Sequence, residues 1–207
     1  AETHALYKGD QLMSDFSAFG GEIVWRPGAA YTARAHLTQF MHHHQIPDFS
    51  ALMRRSIENP AWFTEAIFNF LDIQFQTPYR QVLDLNHGPA WPVWCQDADL
   101  NITLNCLDRY INTPAAARQA LIWEGEEGTS QSLTYLDLYH QVNQTANALR
   151  SLGLGKGDVI GLFMPMIPEI VVALLAIARI GGIILPLFSG YGPAAIAATG
   201  ALALITA

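Results

Sequence analysis

The sequence contains little positive charge and almost no lysine. Lys8 and Lys156 are the only lysines among 207 residues, and 11 Lys and Arg stand against 18 Asp and Glu, for a formal net charge of -7. Nucleic acids and anionic membranes both attract clustered Lys and Arg. The composition therefore argues against a nucleic-acid partner and against an anionic membrane surface.

Cysteine is equally scarce, with Cys95 and Cys106 as the only two. Two cysteines cannot form a disulfide framework and are too few for a cysteine-rich zinc site. We expect two reduced, mostly buried thiols in a cytoplasmic protein. Residues 1–15 lack the basic start and apolar centre of a secretory signal, and the absence of an initiator Met predicts some trimming.

A long apolar run without interruption is also missing. The best candidate for a membrane span, residues 167–188, has Arg179 in its middle, followed by Gly181-Gly182 and by Pro186. We interpret this run as a buried helix followed by a buried strand, and we predict no membrane partner. With 51% apolar and 14% charged residues, the chain is suited to bury a sizeable core.

The N-terminal half is helical in pieces. Residues 1–35 show no sustained period, which predicts a surface arm. Residues 36–71 have helical spacing interrupted at Pro47 and Pro60, which predicts three short helices. Residues 72–100, rich in Pro and Trp, predict an irregular covering segment.

The pattern changes after residue 112. Residues 120–135 read as a strand, an acidic turn and a strand, which is typical of a hairpin. Thr134 is expected to cap the following helix together with Asp137, three residues on. Leu138, Val142, Ala146 and Leu149 give that helix one apolar face, and Gly153 is expected to end it.

The last part of the chain alternates strand and helix. Residues 159–165 have the continuous apolarity of a strand covered on both faces, and Pro168 is well placed to start the next helix. Residues 183–188 and 201–207 predict two further buried strands. Strand, helix and strand in this order imply parallel pairing through a right-handed crossover. The C-terminal half is therefore predicted to be α/β.

Residues 99–126 combine a cysteine with several polar side chains, and three interpretations exist: a reactive thiol with helpers, a metal site or a packing motif. No His stands near Cys106 in sequence, which disfavours a reactive thiol. We interpret Asn101, Asn105, Cys106, Asp108 and Arg109 as structural, with Cys106 buried and Asp108-Arg109 forming a local ion pair.

Other polar clusters have ordinary explanations. Adjacent helical residues point about 100° apart, so His42-His43-His44 predicts a surface cluster in preference to a metal site. Glu124, Glu126 and Glu127 are expected to form a solvated turn. We assign no catalytic residue and no metal ligand within the chain.

Two glycine-containing loops differ in whether their position in the predicted fold favours ligand binding. Residues 153–158 (GLGKGD) follow a helix and precede a strand, the reverse of a phosphate-binding loop, so they predict a turn. Residues 187–192 (LFSGYG) follow a predicted parallel strand, where α/β sheets place their ligand loops, which makes a binding role plausible.

With these segments in order, the chain resembles the N-terminal portion of AMP-forming acyl-CoA synthetases, in particular the acetyl-CoA synthetase group of adenylate-forming enzymes. The resemblance runs from Ile23 to Ala207 and is carried by four segments. These are NPAWFTEAIFNFLDIQF (59–75), LNITLNCLDRYI (100–111), LTYLDL (133–138) and ARIGGIILPLFSGYG (178–192). It implies an arm over 1–35, a helical and irregular cap over 36–112, and the start of the AMP-binding α/β domain, incomplete, over 113–207.

The resemblance also implies chemistry. The family joins a carboxylate to the thiol of coenzyme A, using ATP with Mg²⁺ and releasing AMP and pyrophosphate. Its loop after the second core strand lies near the nucleotide part of coenzyme A and usually reads Phe-Gly-Gly. The matching positions are Phe188, Ser189 and Gly190, so we carry over Phe188 and Gly190 as coenzyme A-binding residues and note that Ser189 departs from the pattern.

The family's phosphate-gripping loop, adenine motif and catalytic lysine lie beyond the matched segments. We therefore expect an N-terminal fragment that is inactive alone, with a stand-alone, non-catalytic binding module as the alternative. An incomplete sheet leaves an unpaired edge, so the isolated fragment is expected to aggregate, to self-associate or to need its missing remainder. Residues 193–199 allow only about two helical turns, which predicts a shortened crossover or missing residues near 197–200.

Overall fold

The computed structural model describes residues 24–198 and 203–206. The chain divides into two compact units, with the boundary between Phe63 and Thr64. In chain order the helices and strands are α1 (Ala29–Arg34), α2 (His36–His43), α3 (Phe49–Glu58), α4 (Pro60–Phe70), β1 (Gln81–Asp84), β2 (Val93–Gln96), α5 (Ile102–Cys106), β3 (Gln119–Glu124), β4 (Ser130–Thr134), α6 (Tyr135–Ser151), β5 (Val159–Phe163), α7 (Pro168–Arg179), β6 (Ile183–Pro186), α8 (Pro193–Ala197) and β7 (Ala203–Thr206).

The helical segment of residues 36–71 has the predicted breaks. Asp48 caps α3, because its carboxylate accepts a hydrogen bond from the Ala51 N–H at 2.7 Å. Pro60 begins α4, where its missing N–H costs nothing. The prediction of three short helices over residues 36–71 is confirmed.

The predicted arm, residues 1–35, contains one short helix and lies partly outside the described residues. Residues 29–34 form the helix α1, directly after the Pro27-Gly28 pair. Its six residues are too few for an apolar period to emerge, which is why the sequence pattern did not predict it. Residues 1–23 lie outside the described part of the chain.

Residues 72–100 are also more regular than predicted. They contain an antiparallel hairpin in which Leu83 lies opposite Trp94, and Gln81 lies opposite Gln96. Each strand has four residues, and alternation over four positions is too short to separate from chance. Cys95, inside β2, and Asp97, directly after it, adopt left-handed backbone conformations with φ of 48° and 65°. The second strand is therefore irregular near its end.

The hairpin β3–β4 and the helix that follows it confirm their predictions. Trp123 lies opposite Gln131 in the antiparallel pair. Thr134 is both the last residue of β4 and the N-cap of α6. Its hydroxyl accepts from the Asp137 N–H at 3.1 Å, and the Asp137 carboxylate accepts from the Thr134 N–H at 3.0 Å. Two otherwise unpaired backbone donors are satisfied, so the chain changes from strand to helix without a loop.

Within the described residues, three strands form a parallel sheet in the order β6-β5-β7. Ile160 of the central strand pairs with Ile184 on one side and with Ala203 on the other. The predicted parallel pairing is confirmed, and β7 lies within the third predicted strand, residues 201–207. The helix α8 has five residues. Residues 199–202 lie outside the described part of the chain, so a shortened crossover or missing residues near 197–200 stays a prediction.

The core lies where α6 and α7 pack against this sheet. The predicted apolar face of α6 is buried at all four positions, and Gly153 adopts the left-handed conformation that ends the helix. Ile160 and Ile177 are fully buried, and Leu162 is 1% exposed. α7 is apolar on most sides, as expected for a buried helix. No helix in the described ranges is long and apolar enough to cross a membrane.

The core makes a first prediction about stability. Replacing Ile160 by Ala leaves a cavity under two helices and should lower the free energy of unfolding by about 2–5 kcal/mol, measured by urea denaturation. Leu152→Ala is the control, because Leu152 is 76% exposed and should change stability by less than about 0.5 kcal/mol. Equal effects of the two variants would contradict this placement of the core.

Candidate functional site

The candidate site is the edge of the parallel sheet where the strands have their carboxyl ends. Two adjacent loops leave the sheet there: the first loop, residues 164–167, follows β5, and the second loop, residues 187–192, follows β6. In open α/β sheets, ligands bind at this edge. The geometry of the two loops therefore decides what the site can hold.

The first loop is attached to the antiparallel hairpin. The indole Nε1 of Trp123 in β3 donates a hydrogen bond to the Met166 carbonyl at 2.7 Å. Met164 is buried at the start of the loop, whereas the Met166 side chain is 81% exposed. A tryptophan N–H that finds a partner while its ring is half-buried fixes both groups. The hairpin thereby restrains one side of the candidate site.

The second loop presents aromatic rings to solvent from a fixed base. Leu187 is buried, and its N–H donates to the Leu162 carbonyl at 2.8 Å. Phe188 is 68% exposed and meets the Tyr191 ring edge-to-face, with centroids 5.8 Å apart. The Tyr191 N–H donates to the Phe188 carbonyl at 2.9 Å, which closes a turn. The loop is thus tied at its base and open at its rings.

A steric contact with Phe188 explains why position 190 is occupied by glycine. A β-carbon there would lie 2.6 Å from Cε1 of Phe188, so any larger residue must displace the ring. At Gly192 an added β-carbon would meet nothing within 4 Å. Glycine at position 190 therefore leaves room for the Phe188 ring in its observed orientation. The predicted pair Phe188 and Gly190 is brought together as one contact.

Charge is missing from the second loop. Residues 187–192 contain no ionisable side chain except the Tyr191 phenol. Such a loop offers an aromatic surface for a flat group, but it has no cation to pair with a phosphate. Of the chemistry that the resemblance implies, stacking of a nucleotide base fits this loop.

A cleft of about 320 Å³ adjoins the same edge, between α6, α7 and the end of β7. Its described lining includes the amides of Gln141 and Gln144, the hydroxyl of Thr145 and the carboxylate of Glu169. Glu169 is the ionisable group among the described lining residues, and its negative charge opposes phosphate. The cleft therefore does not suit the phosphates of ATP.

The described residues also do not form a site for Mg²⁺. No group of three or more His, Cys, Asp or Glu side chains in the described ranges is arranged to hold a metal ion. Hard cations such as Mg²⁺ need convergent oxygen ligands, and neither loop contains a carboxylate.

The histidine triplet is partly a surface cluster. His42 and His43 are exposed as predicted, but the prediction is wrong for His44, which is half-buried against Phe40 and Trp62 at centroid distances of 4.5 and 5.5 Å. Burial, with the positive charges of His43 and Arg55, lowers the pKa of His44. The end of α2 turns the third ring inward, which adjacency alone does not predict.

The turn predictions are confirmed. In GLGKGD the Asp158 carboxylate accepts from the Gly155 N–H at 2.7 Å, and the turn leads into the amino end of β5, opposite the candidate site. The side chains of Glu124, Glu126 and Glu127 are exposed, as expected for a solvated turn.

The segment 99–110 is structural, but its pairings differ from the prediction. Asp108 and Arg109 do not pair with each other: Asp108 pairs with Arg179 at the end of α7, and Arg109 pairs with Asp72. Both partners are distant in sequence, so local spacing could not identify them. Asn105 exchanges two hydrogen bonds with the Gln74 backbone.

Cys106 is exposed, which corrects its predicted burial. It occupies the last position of the short helix α5, whose buried face is formed by Thr103. Desolvation of the sulfur and, to a smaller extent, the charge of Asp108 raise the pKa of the Cys106 thiol, while its own backbone N–H and Arg179 act in the opposite direction. A raised pKa makes this thiol a weak nucleophile at neutral pH, which agrees with a structural role.

Two family models match adjacent parts of the chain. A model described as the acetyl-coenzyme A synthetase N-terminus matches residues 49–106, and a model described as AMP-binding enzyme matches residues 107–203. Together they follow the order that the sequence segments predict. The chain belongs to the acetyl-CoA synthetase-like, adenylate-forming enzymes.

Individual members of this family are similar to the chain over most of its length. Acetyl-coenzyme A synthetase from Gemmatimonas aurantiaca is 41% identical over 144 residues, which are 70% of this chain and 21% of that relative. 3-Hydroxypropionyl-coenzyme A synthetase from Metallosphaera sedula is 38% identical over 149 residues, which are 72% of this chain and 22% of that relative. The chain thus spans about a fifth of the length of the curated relatives that it matches.

A solved structure supports the fold of this adenylate-forming chain. Acetoacetyl-CoA synthetase from Streptomyces lividans superposes with a TM-score of 0.78 at 30% sequence identity, covering 89% of this chain and 30% of that structure. The predicted fold class, a helical cap followed by the first part of a parallel-sheet adenylate-forming subdomain, is confirmed.

Sequence reasoning missed the partners of two residues in this family member: Trp123, which contacts the first loop, and Arg179, at the end of α7 that leads into the amino end of β6. Trp123 was assigned only to a strand, and Arg179 only to the interior of an apolar run. A signal for Arg179 was present, since a lone Arg in a buried helix must find a partner. For Trp123, the partner is a backbone carbonyl 43 residues away, and no local pattern indicates it.

The hydrogen bond from Trp123 can be tested directly. Trp123→Phe removes the donor to Met166 and should lower the free energy of unfolding by about 1 kcal/mol. The matched control is Trp91→Phe, because Trp91 is 74% exposed and should tolerate the change without measurable effect. Urea unfolding of the two variants provides the comparison. If Trp123→Phe had the same urea midpoint as the wild type, the hydrogen bond from Trp123 would not restrain the first loop.

Proposed function

We propose that this chain is the N-terminal part of an ATP-dependent acyl-CoA synthetase, which joins a carboxylate to coenzyme A and releases AMP and pyrophosphate. The observation that carries the proposal is the consecutive match of two family models over residues 49–203, together with the parallel sheet. Relatives and the solved structure bear the names of acetyl-, 3-hydroxypropionyl- and acetoacetyl-CoA synthetases. Since all three names refer to short acyl groups, the proposed substrate is a small carboxylate.

The proposed division of labour follows the chain. Residues 1–35 form an arm, residues 36–112 the cap, and residues 113–207 the start of the AMP-binding domain. The 207 residues contribute scaffold and one ligand contact, whereas the groups that act on ATP with Mg²⁺ belong to other parts of the full-length enzyme. Support comes from the two loops at the carboxyl edge, which supply no cation for a phosphate.

The proposed ligand contact is the second loop, residues 187–192, with the nucleotide part of coenzyme A. The exposed ring of Phe188 offers a face on which an adenine base can stack, and Gly190 leaves room for that ring in its observed orientation. Ser189, where the family usually has glycine, is exposed and does not occupy the contact between Phe188 and Gly190.

Three variants test this contact. Phe188→Ala should weaken coenzyme A binding about tenfold, as expected for the loss of one stacked base. Gly190→Ala should weaken it as well, because its β-carbon displaces the ring, while Gly192→Ala should bind like the wild type. The measurement is the broadening of the adenine proton signals of coenzyme A in NMR titrations with the 207-residue chain.

Two outcomes of this titration would contradict the proposed contact: equal affinity of wild type and Phe188→Ala, or equal losses in Gly190→Ala and Gly192→Ala. The same preparations, given acetate, ATP and Mg²⁺, are expected to release no pyrophosphate. Turnover by the purified chain would contradict the proposal that it acts as scaffold.

Self-association is a further part of the proposal. β6 and β7 are the outer strands of the described parallel sheet, and their Ile183 and Leu204 side chains are exposed. Unpaired strand edges with apolar side chains promote pairing between molecules. Sedimentation velocity should therefore give an average mass that rises with concentration, and Leu204→Lys on the outer strand β7 should reduce that rise. A single monomeric species at all concentrations would contradict this part.

A further inference from the structure

Arg179, the last residue of α7, joins three elements of the second unit through its guanidinium group. Nη1 donates to the Asn143 amide oxygen at 2.7 Å, Nη2 pairs with the Asp108 carboxylate, and the group lies over the Tyr139 ring with Cζ 5.2 Å from its centroid. The Arg179 side chain is 16% exposed and that of Asp108 is 29% exposed. An ion pair this shielded is screened by salt less than a surface pair.

The backbone at the same point is held as well. Asn101 donates from Nδ2 to the carbonyls of Ala178 and Arg179, at 2.8 and 3.2 Å. These carbonyls belong to the last turn of α7, where helical carbonyls have no partner within the helix. The positive charge of Arg179 also complements the partial negative charge of this helix end. The segment 101–108 thus contacts the end of α7 twice: Asp108 pairs with the Arg179 side chain, and Asn101 binds the backbone carbonyls.

The end of α7 leads by a tight turn into the strand that carries the second loop. Gly181 has a φ of 79°, and the Gly182 N–H donates back to the Ile177 carbonyl at 2.9 Å. A β-carbon on Gly182 would lie 2.9 Å from Cγ2 of Ile177, so the turn as it stands has no room for a side chain at this position. β6 begins at the next residue, and Phe188 follows Arg179 by only nine positions.

β6 depends on this turn because it is an outer strand. Within the described sheet it pairs with β5 on one side only. Its position is therefore fixed by one set of ladder hydrogen bonds and by the turn from α7. The placement of the second loop depends on both.

We propose that Arg179 is a positioning residue for coenzyme A: with Asp108 and Asn101 it fixes the end of α7, and through β6 it sets where Phe188 meets the nucleotide. This inference rests on the proposed function of the second loop. It assigns Arg179 no contact with the ligand. Lysine cannot replace it, because an ammonium group lacks the planar fork that reaches Asn143 and Asp108 together.

The experiment compares Arg179→Lys and Asp108→Asn with a matched control, Asp72→Asn. The control removes the ion pair of Arg109, which lies beside Asp108 but points to Asp72 instead of α7. Each variant of the 207-residue chain is titrated with coenzyme A and with pantetheine, which lacks the nucleotide. Hydrogen exchange of residues 183–192 is followed in parallel, with the hairpin β3–β4 as the internal reference.

We expect Arg179→Lys and Asp108→Asn to weaken coenzyme A binding about three- to tenfold, the range of couplings carried by packed networks. Pantetheine lacks the nucleotide on which the proposed contact depends, so it should bind neither the wild type nor any variant measurably, and Asp72→Asn should behave like the wild type. Exchange should accelerate at the Leu187 amide and in β6, but not in the hairpin. If Arg179→Lys lowers the urea midpoint, the positioning role is judged from Asp108→Asn alone. That variant keeps the shape of the Asp108 side chain and one oxygen acceptor.

Three results would overturn the inference, and they differ in meaning. If Phe188→Ala weakens coenzyme A binding while Arg179→Lys and Asp108→Asn bind like the wild type, the positioning role is wrong and the ligand loop stands. If Phe188→Ala itself binds like the wild type, the proposed loop function is wrong and the inference fails with it. Faster exchange throughout the chain, hairpin included, would reduce Arg179 to a general stability role and also overturn the inference.

Discussion

The burial of β5 is the constraint on which the second unit depends. A parallel strand has no hairpin partner in sequence, so its neighbours must return to it across helices that cover the sheet. Ile160 and Leu162 have almost no contact with solvent, and α6 and α7 supply the cover. Because α7 connects β5 to β6, the helix that covers the central strand also delivers its neighbour. Packing and topology are satisfied by the same element.

The candidate site inherits its geometry from that arrangement. Both loops leave from the same end of the sheet, and each has one fixed attachment: Trp123 holds the first loop, and the Leu187 N–H ties the second to β5. The rings of the second loop stay open to solvent, although burying an aromatic ring is favourable. Such exposure is typical of a surface that meets a ligand or another part of the protein.

Sequence patterns predicted those parts of the fold that depend on residues close to one another in sequence. The capping pair Thr134 and Asp137, the four-residue apolar face of α6 and the proline starts of α4 and α7 each depend on residues within one or two turns. The hairpin of β1 and β2 escaped because four-residue strands carry too little alternation. In the site, Phe188 and Gly190 came from a family resemblance, whereas the steric contact between them needed coordinates.

Pairings between distant residues were the part that sequence could not supply. Asp108 and Arg109 are adjacent and opposite in charge, yet their 3-10 turn directs them to Arg179 and Asp72. Charge alone identifies what needs a partner, and only the packed backbone decides which partner is within reach. The same holds for Cys106, whose exposure follows from the side of α5 on which it falls.

The shared role of Thr134 limits how this protein can vary in length. Since the strand ends and the helix begins on one residue, there is no spacer to absorb an insertion. One added amino acid would rotate every later side chain of α6 by about 100° and turn its apolar face away from β5. Natural variants should therefore gain or lose residues between β1 and β2, where eight positions separate the strands, and keep the count fixed at the junction of β4 and α6.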